Sequence, residues 1–247
     1  MKMLIKLENP MLLSKAVDII SELVAEVRIK VDESGMSISA IDSANVAMIG
    51  FKLPKSAFSQ FETEKETLGI NLDDLKKILK RCSLGSSLIL EKKENLLKID
   101  IQDRIKRNFT LSLIEIEGEE IDFSSKVENK EFSSIVEINS VDLISSIEDC
   151  IVVSDACSFI INEGKFIIEA KELNSARSEF SGDEAKINAE NCKSRYSLEY
   201  LQKFMKASKL TDKTTLHFAN EHPLKMDVKT GQMEINFILA PRVEDEN

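Results

Sequence analysis

The sequence predicts an α+β protein of two similar domains, each with antiparallel β-sheets and two helices. Three observations lead to this prediction: two helix-like segments recur in the second half of the chain, a matching strand-like segment follows the recurrence, and strand-like runs outnumber helical ones. A length of 247 residues suits two domains. The expected division is a first domain at 1–113, a connector at 114–132 and a second domain at 133–247.

The clearest repeated element is an amphipathic helix with a polar residue at its start. NLDDLKKILKR at 71–81 and SLEYLQKFMKA at 197–207 place apolar residues at the same helical spacing. Asn71 and Ser197 are the predicted N-caps, because side chains of these types accept hydrogen bonds from backbone N–H groups of the first turn.

A second pair of helices and a pair of strands repeat in the same order. NPMLLSKAVDIISELV at 9–24 and NSVDLISSIEDCIV at 139–152 each keep apolar residues on one face. LKIDI at 97–101 and LKMDV at 224–228 follow the other helix pair, with an offset that changes by one residue. Matching pairs in one order indicate two copies of one fold rather than a chance likeness between amphipathic helices.

Most remaining segments have the alternating or β-branched character of strands. The predicted strands are SISAI (37–41), NVAMIGFKL (45–53), SLILE (87–91), NFTLSL (108–113), KFIIEA (165–170), TTLHF (214–218) and EINFIL (234–239). Glycine turns are predicted at 33–35 and 162–164, after the first helix of each half. The stretch 113–132 is rich in Glu and Ser and indicates an extended surface connector.

Composition argues against an enzyme, a metalloprotein and a membrane protein. No Ser-His-Asp group, glycine-rich phosphate loop or metal cluster is recognisable, so no catalytic residue, metal or cofactor is predicted. The cysteines Cys82, Cys150, Cys157 and Cys192 include no Cys-x-x-Cys pair and are expected to be reduced packing residues. No apolar run approaches the ~20 residues that a spanning helix needs. The net charge of −10 disfavours nucleic acid overall, but a local basic stripe can coexist with it.

Four segments together resemble the proliferating cell nuclear antigen (PCNA) family of archaea and eukaryotes. They are SGMSISAIDSANVAMI (34–49), GINLDDLKKILKR (69–81), SRYSLEYLQKFMKASKL (194–210) and LAPRVEDE (239–246). The resemblance implies the DNA clamp fold, in which three two-domain subunits form a ring with pseudo-six-fold symmetry around duplex DNA. It also implies a non-enzymatic processivity factor that tethers replication and repair proteins and is loaded by a separate ATP-dependent loader.

Basic residues on the helices are the candidate DNA contacts, because a sliding protein needs positive charge near phosphates without base readout. They are Lys15, Lys76, Lys77, Lys80, Arg81, Lys203 and Lys206. The resemblance carries over most directly at Lys15, Lys77, Lys80 and Lys206. The alternative is an ordinary solvated helix face. The third helix has Ser145 and Glu148 where relatives place arginines, which predicts a weaker or lopsided basic track.

The resemblance also implies a pocket for short partner motifs beneath the connector. The pocket residues are Ile41, Asn45, Met48, Ile121, Phe123, Pro223, Ile238, Leu239, Ala240 and Pro241. An apolar plug with aromatic anchors suits such a pocket, and Met48 is able to adapt to several partners. Relatives often have His at the position of Asn45 and Tyr or Phe at that of Ile238. The alternative is that these apolar residues pack a core.

Edge-to-edge strand pairing between subunits is a further implication of the resemblance. The strand around 108–113 of one copy is expected to pair with that around 176–183 of the next. The implied interface residues are Asn108, Phe109, Leu111, Leu113, Ala176, Ser178 and Phe180.

The expected partners are double-stranded DNA without sequence preference, two further copies of the chain, replicative DNA polymerase, the clamp loader, flap endonuclease and DNA ligase. Acidic residues of the connector and of the tail at 244–246 are expected to attract basic flanks of partner motifs. The expected location is the cytoplasmic nucleoid in an archaeon or the nucleus in a eukaryote, with no membrane partner. Two alternatives stay open: a subunit of a heterotrimeric or checkpoint-type ring, and a β-rich interaction module without a DNA role.

Overall fold

Two compact units make up the structure, a computed structural model that describes residues 3–128 and 130–243. The first unit comprises the chain up to Ser43, Ile49–Phe123 and Gly231–Ile235; the second comprises Ala44–Met48, Ser124–Thr230 and the chain from Asn236 onward. The first unit continues to Phe123, so it contains the first half of the predicted connector. The acidic tail predicted at 244–246 lies outside the described residues.

Strands and helices of the first half follow the predicted pattern. In chain order they are β1 (Leu4–Leu7), α1 (Met11–Ile20), β2 (Glu26–Asp32), β3 (Gly35–Ile41), β4 (Ala47–Pro54), β5 (Gln60–Glu62), β6 (Glu66–Asn71), α2 (Leu72–Leu79), β7 (Ser87–Lys93), β8 (Leu96–Gln102) and β9 (Lys106–Ser112). Neighbouring strands run in the orders β5-β1-β7-β8-β9 and β4-β3-β2-β6.

The second half begins with a short helix and then repeats the pattern. Its elements are α3 (Phe123–Glu128), β10 (Ser134–Asn139), α4 (Ser140–Ile151), β11 (Ala156–Asn162), β12 (Lys165–Lys171), β13 (Ser175–Phe180), β14 (Ala185–Ala189), β15 (Cys192–Ser197), α5 (Leu198–Ser208), β16 (Lys213–Phe218), β17 (Leu224–Lys229) and β18 (Glu234–Leu239). Neighbouring strands run in the orders β14-β10-β16-β17-β18 and β13-β12-β11-β15.

The two halves share one topology. The strands β1 to β9 correspond in order to β10 to β18, and corresponding strands have corresponding neighbours. The helices α1 and α2 correspond to α4 and α5. The assigned strand registers within each unit are antiparallel. The internal repeat and the α+β class predicted from the sequence are therefore confirmed.

Helix starts agree with the sequence patterns in position, but not in every capping bond. Asn71 Oδ1 accepts a hydrogen bond from the Asp74 backbone N–H at 3.2 Å, which confirms the predicted cap of α2. Ser197 occupies the N-cap position of α5 without a side-chain capping bond. The six-residue helix α3 inside the connector was not predicted, because a segment this short shows no helical period.

Two glycine turns close equivalent hairpins, as predicted. Gly35 connects β2 to β3 with φ of +137°, and Glu163 and Gly164 connect β11 to β12 with φ of +50° and +76°. Positive φ angles favour glycine, because it has no Cβ to clash with its own backbone.

The cores are closed by apolar helix faces and by aromatic rings. Leu72, Leu75 and Leu79 of α2 are buried, since they recur at helical spacing. In the second unit Phe159 packs against Phe166 with ring centroids 5.5 Å apart. All four cysteines are buried and free, in agreement with the predicted packing role.

Candidate functional site

The basic surface of the first unit is carried by α1 and α2, which pack against each other. Asp73 and Asp74 lie in the first turn of α2 and Lys76 and Lys77 in its last, so these charges match the helix dipole. The Lys77 side chain is 76% exposed, and its contact with Asp74 at 3.3 Å is a weak surface pair.

Lys76 has a different environment from Lys77, although they are neighbours in sequence. Its side chain is only 22% exposed, and its Nζ lies 2.9 Å from Asp18 Oδ1 and 3.0 Å from Ser21 Oγ. Lys76 therefore ties α2 to the end of α1. The predicted DNA-facing residues of this unit that remain exposed are Lys15, Lys77, Lys80 and Arg81.

The helices of the second unit present less positive charge. Lys203 Nζ lies 3.0 Å from Glu199 Oε1 and 5.1 Å from the centre of the Tyr200 ring, so this lysine is held along its own helix. Lys206 is exposed. Helix α4 carries Asp142, Ser145, Glu148 and Asp149, and has no basic residue in its last turn. Among the predicted DNA contacts, the exposed ones are therefore mostly in the first unit, and the lopsided track itself stays a prediction.

Strands β9 and β13 end their strand orders and have alternating side-chain exposure. Asn108 is exposed, Phe109, Ala176 and Ser178 are half-buried, and Leu111 and Phe180 are buried. Leu113 lies just beyond β9, and its backbone N–H donates to the Asn95 carbonyl at 2.8 Å. The predicted interface residues therefore include side chains that already pack within their own unit, and the exposed backbone edge is the feature open to pairing.

Exposed apolar side chains lie next to both edges. Ile105 directly precedes β9. Leu84 lies in the loop before β7, and Ser86 of that loop donates from Oγ to Oδ2 of Asp103, in the turn between β8 and β9, at 3.2 Å. In the second unit Leu173 lies in the turn before β13, and Val152 follows α4, which packs on β13. Strand pairing at either edge with another chain would cover these side chains.

The first half of the connector is anchored to the first unit by one arginine. Arg28 of β2 donates to the backbone carbonyls of Ile116, Gly118 at 2.8 Å and Glu119 at 3.3 Å. Lys30 Nζ, on the same strand, lies 2.7 Å from Glu120 Oε2. The hydrogen bond and charge of Lys30 lower the pKa of the Glu120 carboxyl.

Close backbone contacts fix both ends of this segment. The Ile114 N–H donates to the Gly69 carbonyl at 3.0 Å, and a Cβ at Gly69 would lie 2.0 Å from the Ile114 oxygen. At the other end the Phe123 ring covers Gly50, where a Cβ would lie 2.8 Å from the ring. Phe123 is buried, so in this structure it anchors the connector.

Between these ends the connector spans a cavity of about 170 Å³. Its lining includes Arg28, Lys30, Ile41, Ile116 and Ile121, all in the first unit. Ile41 and Ile121, two of the predicted pocket residues, therefore lie at one opening beneath the connector. Ile116 and Ile121 are half-buried beside this cavity, and the polar contacts from β2 hold the segment between them.

Apart from Phe123, the other predicted pocket residues belong to the second unit. The Ala240 N–H donates to the Val46 carbonyl at 2.9 Å, which places the end of β18 beside the turn that contains Asn45, a residue with φ of +56°. Met48, Ile238 and Leu239 are buried, and Pro223, Ala240 and Pro241 are half-buried. Leu239 is fully buried, so the core role considered for it agrees with the structure.

The hydroxyls of Ser194 and Tyr196 hold the backbone next to Pro223, one of the predicted pocket residues. The carbonyl of the preceding residue, His222, accepts hydrogen bonds from Tyr196 Oη at 2.7 Å and Ser194 Oγ at 3.0 Å. Burial raises the pKa of the Tyr196 hydroxyl well above its usual value, so it remains a donor.

One of the two histidines, His217, belongs to a polar cluster in the second unit. His217 Nε2 lies 2.9 Å from Asp227 Oδ2, Lys225 Nζ lies 2.5 Å from the same oxygen, and Asn236 Nδ2 donates to Asp227 Oδ1 at 2.6 Å. Burial by itself raises the pKa of the Asp227 carboxyl, but the bonds from His217 and Lys225 outweigh it and lower the pKa to about 2.

Replacing Asp227 with Asn is expected to destabilise the protein by about 2 kcal/mol at pH 7, because a carboxyl pKa lowered this far stabilises the folded state while the group is ionised. This contribution is present above pH ~4 and is lost as the pH falls toward 2. Urea unfolding of parent and variant at several pH values measures the difference, with Asp212→Asn as an exposed carboxylate control. A constant difference between pH 7 and pH 2 would contradict the assignment.

In the described ranges, 3–128 and 130–243, no group of three or more His, Cys, Asp or Glu side chains is placed to hold a metal ion. None of the helices there is long and apolar enough to cross a membrane.

Family models match both halves of the chain. Residues 3–121 match the proliferating cell nuclear antigen N-terminal domain, and residues 126–243 match its C-terminal domain. The chain belongs to the proliferating cell nuclear antigen family. Among PCNA-family relatives, the DNA polymerase sliding clamp of Pyrococcus furiosus is 36% identical over 240 residues, 94% of this chain and 95% of that one. The DNA polymerase sliding clamp of Thermococcus onnurineus is 38% identical over 233 residues, 91% of this chain and 92% of that one.

Solved PCNA structures have the same fold. A PCNA from Entamoeba histolytica matches with a TM-score of 0.89 and 21% identity, covering 98% of this chain and 99% of that chain. A PCNA2–PCNA3 complex from Sulfolobus tokodaii matches with a TM-score of 0.86 and 24% identity, covering 98% of this chain and 100% of that chain. The predicted PCNA family and the predicted clamp fold are thereby confirmed.

Sequence reasoning missed the residues that hold the connector of this PCNA-family chain. Arg28 alternates with buried neighbours along β2, so it has the pattern of an ordinary solvent-facing residue. Its partner carbonyls lie 88 to 91 residues away in the chain. The available signal was the isolated glycine in each of two strands, Gly50 and Gly69, since a glycine within a strand often marks a close approach of another segment.

Proposed function

We propose that this chain is a DNA sliding clamp, three copies of which close into a ring around duplex DNA and hold a DNA polymerase on its template. The observation that carries the proposal is the match of residues 3–121 and 126–243 to the two clamp domains of one family. The exposed lysines of α1 and α2 and the open edges of β9 and β13 support it.

Ring closure follows from two unlike edges on one chain. Strand β9 and Ile105 form one edge, and strand β13 and Leu173 form the other. A surface that pairs with a different surface of the next copy gives a head-to-tail assembly, which closes into a ring when the rotation permits. Backbone pairing of the edges and burial of the apolar side chains next to them stabilise each contact.

DNA contact rests on charge without base recognition. Exposed lysines attract phosphates along any sequence, which leaves the ring able to slide. The acidic helix α4 reduces this attraction in the second unit. The chain is proposed to act as a scaffold without catalysis, located with the chromosomal DNA inside the cell.

Changing Lys77, Lys80 and Lys206 together to Glu is expected to weaken binding to a short duplex by at least about tenfold at 50 mM salt, because a lysine that neutralises a phosphate releases counterions and a glutamate does not. The slope of log K against log salt should become less steep by about one for each phosphate that is no longer neutralised. Fluorescence anisotropy of a labelled duplex, measured from 50 to 200 mM salt, gives both quantities.

The matched control reverses the same number of exposed strand lysines: Lys52, Lys98 and Lys186. It changes the net charge equally but leaves the helices intact. Equal weakening by both triple variants would show a general charge effect and would remove the helices from the DNA contact.

Protein docking is proposed at the connector and the pocket residues. Exposed Glu115 and Glu117 flank Ile116 in sequence, and exposed Glu120 and Asp122 flank Ile121. A peptide with an apolar or aromatic plug and basic flanks suits this combination. The proposed users of the site are replicative polymerase, clamp loader, flap endonuclease and DNA ligase.

A further inference from the structure

We propose that Arg28 is the positioning residue of the connector. Its hydrogen bonds to three backbone carbonyls hold the partner-binding segment in the conformation that a basic peptide binds. The inference rests on the proposed docking function. It is carried by the bonds from Arg28 to Ile116, Gly118 and Glu119.

A guanidinium is better suited than any other side chain to hydrogen-bond several carbonyls at once. Its donors lie in a planar fork, so one group reaches several carbonyls that the chain turns toward it. The turn is made at Gly118, whose φ of +89° is accessible to glycine at little cost. The carbonyls of 116, 118 and 119 thus converge on the same side chain.

A cavity of about 170 Å³ lies beneath this span, so the half-buried Ile116 and Ile121 pack less closely there than core side chains do. The Lys30–Glu120 pair is the second contact, but its side chains are 33% and 54% exposed, so it is screened by salt. Arg28, which bonds to three carbonyls, therefore holds more of the backbone between the anchors at Gly69 and Phe123 than Lys30 does.

Holding the connector in place affects partner binding through preorganisation. A peptide that docks on a mobile segment has to order it first, which lowers the affinity. With Arg28 in place this ordering is already done in the free protein. The acidic side chains at 115, 117 and 119 are then presented outward, where the basic flanks of a peptide approach.

The test compares Arg28→Ala, Arg28→Lys and the parent by hydrogen exchange and by peptide binding. Arg28→Ala is expected to speed amide exchange at Ile114, whose N–H donates to the Gly69 carbonyl, by about tenfold, because loss of the charged hydrogen bonds frees the adjoining connector, without a change in the rest of the first unit. Binding of a labelled synthetic peptide with an aliphatic and aromatic helical turn followed by lysines should weaken by about three- to tenfold. Arg28→Lys should recover only part of both effects, because an ammonium lacks the fork geometry.

Two further variants distinguish the outcomes. Lys93→Ala, which removes an exposed positive charge elsewhere in the same unit, should leave exchange and binding unchanged. Gly69→Ala should loosen the connector from its other anchor, since its Cβ would meet the Ile114 oxygen. Parental exchange rates in Arg28→Ala would overturn the inference, whereas a parent protein that does not bind the peptide would instead overturn the proposed docking function.

Discussion

Replacing Leu84 and Ile105 with Asp is expected to convert the proposed trimer into monomers. Both side chains are exposed beside β9, and in the proposed ring they would be buried where another copy pairs with this edge. Burying an apolar side chain of this size contributes about 1.5–3 kcal/mol, and burying an unpaired carboxylate opposes assembly strongly. The ring contains this interface three times, so the effect is repeated at each. Light scattering after gel filtration at micromolar concentration gives the mass.

A second double variant tests the other edge and the head-to-tail arrangement. Val152→Asp with Leu173→Asp should also give monomers, since these residues adjoin β13. Each variant keeps the edge that is disrupted in the other, so a mixture of the two should form a dimer of unlike variants and grow no further. Val243→Asp, an exposed site outside both edges, should remain trimeric.

Three results would contradict this assembly. A double variant that stays trimeric would place the interface elsewhere, and a mixture that stays monomeric would exclude pairing between the two edges. A parent that is monomeric alone but assembles with a second clamp protein would favour the heterotrimeric alternative.

Replacing Gly35 with Ala is expected to lower the free energy of unfolding by about 3–5 kcal/mol, from backbone strain and from steric overlap together. Its φ of +137° is unfavourable for any residue with a Cβ. The Cβ would also lie 2.2 Å from the Leu53 carbonyl oxygen and 2.7 Å from the Lys55 nitrogen, both of which are backbone atoms. The hairpin β2–β3 would have to move away from the end of β4.

Gly164 offers a matched control, because it closes the equivalent hairpin of the second unit. Its φ is +76°, but a Cβ there would meet nothing within 4 Å. Gly164→Ala is therefore expected to cost only about 1 kcal/mol, the conformational part of the effect. The chain has no tryptophan, so denaturant unfolding is best followed by circular dichroism at fixed protein concentration. Equal destabilisation of the two variants would show that the contact with β4 is unimportant.

The repeat and the helices were predictable because their signals are local. The leucines of α2 recur at helical spacing, and the equivalent pattern in α5 lies 126 residues later. A buried face of this kind depends on the element alone, so the sequence determines it directly. The exposed lysines followed from the same pattern, since they lie on the remaining face.

Features that depend on distant neighbours were beyond sequence reasoning. On a helical wheel Lys76 lies beside the buried stripe of α2 and Lys77 lies nearly opposite it, but only the structure shows that Asp18 on α1 pairs with Lys76. Phe123 was predicted in a docking pocket, but its ring lies over Gly50, a contact between segments far apart in the chain. The role of Phe123 in a pocket stays a prediction, as do the other pocket and interface roles.

Arg28 donates its hydrogen bonds to backbone carbonyl oxygens, which every amino acid possesses. The loop it secures can therefore change its side chains at 115, 117 and 119 while staying attached. Substitutions at these three positions can therefore change which ligands the loop prefers without removing the bonds from Arg28 to its backbone.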